Sequence, residues 1–300
     1  MKSSLGYILC LSAMLYIVSC KKNTEDIIGP PPPPPPPPVG IVDNDPLLLG
    51  NPTNAQTSVS LPENYLRNYD YYKIAYSQSR AIPVWVAWHL QSEDLGSSPR
   101  RDDFRTDAGL PAGWYQVQDY SYSGSGFDRG HNCPSADRTT SIPANSSTFL
   151  MTNMIPQSPR LNQGPWAGLE DYTRTLVGST KEAYIFMGNY GQGGYNTNNL
   201  FFATIDAGRI TVPANIWKVI VLLPKGTNDL TRIDTSAIVL AVNMPNDNRL
   251  YSTGGNAVWR NYITTISNLE LQAGNNAVML DLFKEVAVNV KSYLKLKVYQ

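Results

Sequence analysis

Gly126-Phe127-Asp128-Arg129-Gly130-His131-Asn132 contains one of only two histidines in a chain of 300 residues. Histidine is the usual side chain for taking a proton from water near neutrality. A hydrolase built on histidine therefore has two candidates for its base, His89 and His131. Two polar segments follow: Thr152-Asn153-Met154-Ile155-Pro156-Gln157, and Leu161-Asn162-Gln163-Gly164-Pro165-Trp166-Ala167-Gly168-Leu169-Glu170-Asp171-Tyr172-Thr173-Arg174. In the last of these the pattern predicts a helix over Pro165–Val177, with proline in its first turn. Trp166, Leu169, Thr173 and Leu176 then share a packed face. Glu170 and Arg174, four apart, share the opposite face, and Asn162 lies about two turns before Glu170. Taken alone, this row of amide, carboxylate and guanidinium reads most simply as a solvated face with a favourable Glu–Arg pair.

Around these segments the chain reads as strands. Ile82–Leu90 is β-branched and aromatic, as expected of a buried strand, which makes His89 a core histidine. Ala183–Met187, Leu200–Ile205, Trp217–Leu223 and Ile238–Val242 read likewise, separated by turn clusters at Gly188–Gly194, Asp206–Gly208, Pro224–Asn228 and Pro245–Asn248. Helices are expected at Val258–Leu269 and Val278–Val290. Short turns between strands favour an antiparallel sheet. The absence of regular βαβ alternation places the chain in the α+β class. Gly-Asn-Tyr-Gly-Gln-Gly-Gly at 188–194 does not fit a phosphate-binding P-loop, and a hairpin or a loop at the site's edge is expected there.

The beginning of the chain reads as an export signal. Lys2 precedes a mostly apolar stretch, Leu5–Val18, too short to span a membrane comfortably. Ile17-Val18-Ser19-Cys20 is similar to a bacterial lipobox, which implies a signal over residues 1–19 and acyl chains on Cys20 that hold the protein at a membrane surface. Residues 20–46 form a linker in which Pro30 to Pro38 run unbroken. Nine prolines favour polyproline II, a stalk of about 28 Å. Residues 47–300 then make one domain, enough for a substantial core. Its only cysteine is Cys133, which excludes an internal disulfide. With 24 basic and 24 acidic residues in the whole chain, loss of Lys2 leaves 23 basic ones and a net charge of −1. Binding of a polyanion must therefore come from a local cluster, not from bulk charge.

Asp128-Arg129-Gly130-His131, followed by Asn162-Gln163-Gly164-x-Trp166-x-x-Leu169-Glu170-x-x-x-Arg174, resembles the DNA/RNA non-specific endonucleases of the ββα-metal (His-Me finger) class. The resemblance extends to Ile82-Pro83-x-Trp85-Val86-Ala87-Trp88-His89 upstream and to Val212-Pro213-Ala214-x-x-Trp217-Lys218-Val219 downstream, covering most of residues 47–300. It implies a central, mainly antiparallel sheet flanked by helices. It further implies that His131 is the general base and that Asn162 is the one direct protein ligand of Mg²⁺, with Mn²⁺ as a second candidate. Glu170 is implied to hold metal-bound water. Arg129, Arg174 and an upstream arginine, Arg101 in preference to Arg100, are implied to offset phosphate charge. Asp128 is expected to brace the loop and Gly130 to allow close backbone approach.

The implied activity is a sugar-nonspecific endonuclease that leaves 5′-phosphate ends on DNA and RNA, contacts phosphates instead of base edges, and resides in the periplasm or at the cell surface of a bacterium. Cys133, two residues from His131, invites a thiol-nucleophile reading that the hydrolytic motif disfavours. No role is expected for Asn132, whereas Asn153 is expected either to line the site or to hold a turn. Two other functions compete: a catalytically inactive nuclease fold that binds nucleic acid or a partner protein, and a structural surface lipoprotein.

Overall fold

In the computed structural model, which describes residues 42–251, 257–274 and 279–300, the buried strand Ile82–Leu90 lies inside a seven-stranded sheet. In chain order the strands used below are β1 (Tyr65–Asn68), β2 (Lys73–Ser77), β3 (Ile82–Leu90), β4 (Asp128–His131) and β5 (Met154–Gln157). They continue with β6 (Lys181–Tyr190), β7 (Asn215–Pro224), β8 (Ile238–Pro245) and β9 (Ile263–Thr264). The large sheet runs β1-β2-β3-β6-β7-β8-β9, every neighbouring pair antiparallel. Pro83 has no N–H for the ladder, and the register between β2 and β3 shifts at Ala75/Tyr76 beside it, a bulge that accommodates the missing donor.

Both faces of this sheet are covered, and the period-two alternation of each strand divides its side chains between two cores. Ile82, Val86, Trp88 and Leu90 of β3, with Ile216, Ile220 and Leu222 of β7, face one layer. That layer contains Met154, Ile155, Trp166 and Leu169, the unit that carries the site motifs. Trp85, Ala87, Trp217, Val219 and Val221 face the other, with Leu47–Leu49 and the two C-terminal helices α2 (Ile266–Ala273) and α3 (Val288–Leu296). The helix α1 (Ala167–Val177) belongs to the first layer. The fold is therefore α+β with a central antiparallel sheet, as the sequence implied.

Several boundaries differ from expectation. The strand at Ala183–Met187 runs on to Tyr190 through what reads as a turn cluster. Gly188 pairs with Trp85 on one side and Trp217 on the other. A Cβ there would lie 2.4 Å from the Trp217 ring, so the glycine makes room for an indole and does not turn the chain. Leu200–Ile205 is not one strand: Phe201–Phe202 pairs with Gly194–Tyr195, and Thr204–Ile205 with Ile210–Thr211. Val258–Leu269 is broken into a 3₁₀ turn at Val258–Tyr262, the edge strand β9, and α2. The β-branched run Ile263-Thr264-Thr265 prefers extended backbone, and Thr265 caps α2 by accepting from Asn268 N at 3.1 Å.

The C-terminal helix begins at Val288, ten residues later than expected. Phe283 adopts a φ of 65° in the turn before it, which no helix interior allows. The export signal, Cys20, the proline run and the start of that expected helix at Val278 fall outside the described residues. Among the described residues, no helix is long and apolar enough to cross a membrane.

Gly188→Ala forces a methyl group against Trp217 and the Val84 carbonyl. Its expected effect is a loss of about 1–3 kcal/mol in unfolding free energy, measured by chemical denaturation. Unchanged stability would show that the indole can move aside.

Candidate active site

The site is built on a two-stranded hairpin and the helix after it. β4 pairs antiparallel with β5, Gly130 opposite Ile155 and His131 opposite Met154. A Cβ on Gly130 would sit 2.2 Å from Gln157 Oε1, so only glycine lets the neighbouring strand's side chain lie across β4. Beyond β4, Asn153 closes the unit. Its Oδ1 accepts from Cys133 N at 3.0 Å, and its Nδ2 donates to the Cys133 and Thr148 carbonyls, each at 2.9 Å. Its carbonyl accepts from both the backbone and the side chain of Asn132. Of the two roles open to Asn153, holding a turn is the one its contacts show, and Asn132 belongs to the same clasp.

The chain enters α1 through a wide π-type turn, Asn162–Trp166, with Gly164 off helical geometry at φ −109°, ψ −105°. Such π turns are frequent at functional sites. Asn162 opens this one. Its Nδ2 donates to Asp128 Oδ2 at 2.9 Å, and Gln163 Nε2 donates to the same oxygen at 2.8 Å. Asp128 thus ties strand to helix and, by taking the amide nitrogen, fixes Oδ1 as the atom Asn162 can offer a ligand.

Arg100, Asp102, Phe104, Asp128, Arg129 and Asn162 line one open cavity of about 420 Å³. Arg129 lies 3.7 Å over the Phe104 ring and donates to the Asp119 carbonyl at 3.1 Å. Arg100 lies 4.9 Å over Phe149 and donates to Asp102 Oδ1 at 2.7 Å. The imidazole of His131 packs edge-on against those same two rings, 5.6 Å from Phe104 and 4.9 Å from Phe149, which also touch each other at 4.9 Å. It is hydrogen-bonded to the Arg129 backbone, and its Nε2 is buried with no hydrogen-bond partner. A carbonyl can only accept, so Nδ1–H is the donor and the Nε2 lone pair is the free one. Burial first, and then the charge of Arg100, push His131 down to about 3, against the Arg129 backbone bond that raises it.

The other expected residues lie elsewhere. The backbone N–H of Arg101 donates to Asn145 Oδ1 at 3.0 Å, and its side chain is not part of the cavity lining. Of the two adjacent arginines, Arg100 is the one that reaches it. Arg174 donates to the buried Asp137 at 2.7 Å and also to Asp171, away from the lining. Glu170 also lies outside the lining. It does not pair with Arg174 but accepts from Lys218 at 3.1 Å. Burial raises the Glu170 pKa, and Lys218 opposes that rise. Cys133 is fully buried, and burial pushes its thiol up to about 12, so it stays protonated.

His89 is 5 % exposed and meets Glu182 at 3.2 Å. With Asp229 these two place ligand-type atoms within 4.8 Å of one another. Arg232 already bridges the two carboxylates, Tyr184 holds Asp229, and burial lowers His89 to about 4. That cluster is a saturated ion network. Sequence reasoning did not assign roles to Phe104, Phe149 and Lys218, because a ring or a lysine that frames a site looks like any other in a strand or loop.

His131 is itself not among the lining residues but packs on Phe104, which is. A ββα unit that sets a neutral histidine behind a cavity lined by an anchored amide oxygen and two arginines is the architecture of a metal-dependent nuclease. The chain belongs to the DNA/RNA non-specific endonuclease family, which it matches over residues 50–289, and it is an endonuclease. It is 42 % identical over 252 residues to a nuclease of Nostoc sp., covering 84 % of this chain and 85 % of the relative. It is 32 % identical over 166 residues to the mitochondrial Endonuclease G of Homo sapiens, covering 54 % and 56 %. Among solved structures, a chain from the EndoG/EndoGI complex superposes with a TM-score of 0.63 at 21 % identity, covering 82 % of this chain and 92 % of that one, and so shares the fold.

A base that works as neutral imidazole loses activity as pH falls through its folded pKa. With that value held near 3, well under the ordinary 6.5, kcat/KM is expected to stay flat from about pH 8 down to about pH 5.5. An acid limb centred near 6.5 in a pH–rate profile would contradict the burial of Nε2.

Proposed function

We propose that the protein is a Mg²⁺-dependent, sugar-nonspecific endonuclease that hydrolyses DNA and RNA to 5′-phosphate ends. The observation that supports this most is the His131 imidazole, packed edge-on against Phe104 and Phe149 with its Nε2 lone pair free. His131 takes a proton from water at Nε2. The water oxygen bonds to phosphorus, the bond from phosphorus to the 3′ oxygen breaks, and that oxygen leaves as the alcohol after protonation by solvent. The fixed ring spares the reaction a search for the right imidazole orientation.

The donors present fit a hard divalent cation: the Asn162 amide oxygen is oriented by Asp128, with a carboxylate one helix segment on at Glu170. Asn162 would hold Mg²⁺ directly and Glu170 through its hydration shell; once bound, the ion offsets charge on the phosphate and on the leaving oxygen. Arg100 and Arg129, each stacked on an aromatic ring, present their guanidinium groups to the substrate phosphates. Arg100 takes the place first given to Arg101. Arg174, tied to Asp137, contributes charge to the surroundings of Glu170 without contacting phosphate. Because these contacts address phosphates, they do not distinguish bases or sugars.

For its setting, we propose an exported lipoprotein held by acyl chains on Cys20 in the periplasm or at the cell surface, the proline run lifting the nuclease from the membrane. This keeps an unselective nuclease apart from the cell's own DNA.

Plasmid and RNA cleavage with Mg²⁺ tests the assignment. His131→Ala is expected to lower kcat by about 10²–10⁴-fold, and Arg100→Ala by about 10²–10³-fold, while Arg101→Ala stays near the wild-type rate. Wild-type cleavage by His131→Ala would remove the base from the scheme. Equal losses for the two arginine variants would remove the distinction between them.

A further inference from the structure

Lys218 is an anomaly of the fold. It lies in the middle of the central strand β7, on the face that otherwise carries Ile216, Ile220 and Leu222. Its sheet neighbours are Met187 and Val242, and it is 1 % exposed. An ammonium group is costly to take out of water, and a buried ion pair is often no more stabilising than apolar side chains of the same volume. Packing alone would favour methionine or leucine here.

The lysine is instead held in one place. Its Nζ lies 4.6 Å from the Trp166 ring centre and 5.4 Å from that of Trp88, so indole faces confine the cation on two sides. Its hydrogen bond goes to Glu170 Oε1 at 3.1 Å. Trp88 also donates through Nε1 to Asp137 Oδ2 at 3.0 Å, and the other oxygen of Asp137 holds Arg174. Two acid–base pairs thus meet at one tryptophan, and each takes one member, Glu170 or Arg174, from α1, the helix that follows the π turn of Asn162.

We propose that Lys218 is a positioning residue of the active site: its buried ammonium group fixes the Glu170 carboxylate, so that one oxygen is taken by the protein and the other is left for the hydration shell of the divalent ion. This rests on the role given to Glu170 above. The large sheet thereby contributes to a site otherwise built on the ββα unit. Burial and the nearby Asp137 disfavour a charged Glu170, whereas Lys218 and Arg174 favour it, which agrees with the geometry.

A double-mutant cycle on the full chain tests the link, with cleavage kinetics and Mn²⁺ binding by calorimetry as readouts. Lys218→Met, close in shape but uncharged, is expected to lower kcat about 10–100-fold and to weaken Mn²⁺ binding by a similar factor, while KM for DNA moves less than about threefold. In a Glu170→Gln background the same substitution is expected to cost less than about twofold in either readout. Lys218→Arg, which restores the charge, is expected to recover part of the kcat lost in Lys218→Met. Should Lys218→Met fail to fold, Lys218→Gln takes its place, its amide keeping a donor without the charge. Wild-type kcat and Mn²⁺ affinity in the single variant, or a full additive loss on top of Glu170→Gln, would overturn the proposal. Unchanged activity in Glu170→Gln alone would instead refute the role of Glu170 itself.

Discussion

One carboxylate connects the two halves of the site. Asp128 sits on the first strand of the hairpin, and its Oδ2 takes hydrogen bonds from both Asn162 and Gln163 at the helix entrance. Charge-assisted bonds of this kind are shorter and stronger than neutral ones. This contact does two things together: it fixes the rotation of the Asn162 amide, and it ties the helix entrance to the strand that carries His131. Without it the hairpin would still pair and the helix would still pack on the sheet through Trp166 and Leu169, but the amide would have no fixed orientation.

The chemistry depends on how the site treats charge. His131 is kept neutral by burial and by neighbouring arginines, and those arginines are the groups available to a phosphate. One positive cluster therefore does two things: it disfavours protonation of the base and it attracts the anion. The chain as a whole is electrically balanced, so this attraction is local. Along α1 the signs alternate at close range, Lys218 with Glu170 and Arg174 with Asp137, and there the charges restrain side chains, Lys218 and Asp137 buried, Glu170 and Arg174 half-buried.

What the sequence revealed follows from how local each determinant is. β3 and β7 were legible because β-branched and aromatic residues fill both faces of a central strand. His131 and Asn162 stood out as candidates because their spacing to glycine and tryptophan is carried within short segments. Arg100 and Arg101 could not be separated, since adjacent side chains in an extended loop point opposite ways and only the fold decides which faces the cavity. Gly188 read as a turn because its reason for being glycine is Trp217, 29 residues later in the chain. Lys218 stood in the sequence only as part of a strand motif with no role, because the partners that explain it come from β3, the π turn and α1. The helix expected from Val278 is interrupted at Phe283, which is buried in the second core with a left-handed backbone.

The most direct test of the account is a crystal structure soaked with Mn²⁺ and located by anomalous scattering. One strong peak is expected in the cavity beside Asn162, with the Asn162 amide oxygen as the sole direct protein ligand, the remaining positions filled by water, and His131 Nε2 uncoordinated. Direct ligation by His131 or Glu170, or a peak at His89, Glu182 and Asp229 in its place, would contradict it.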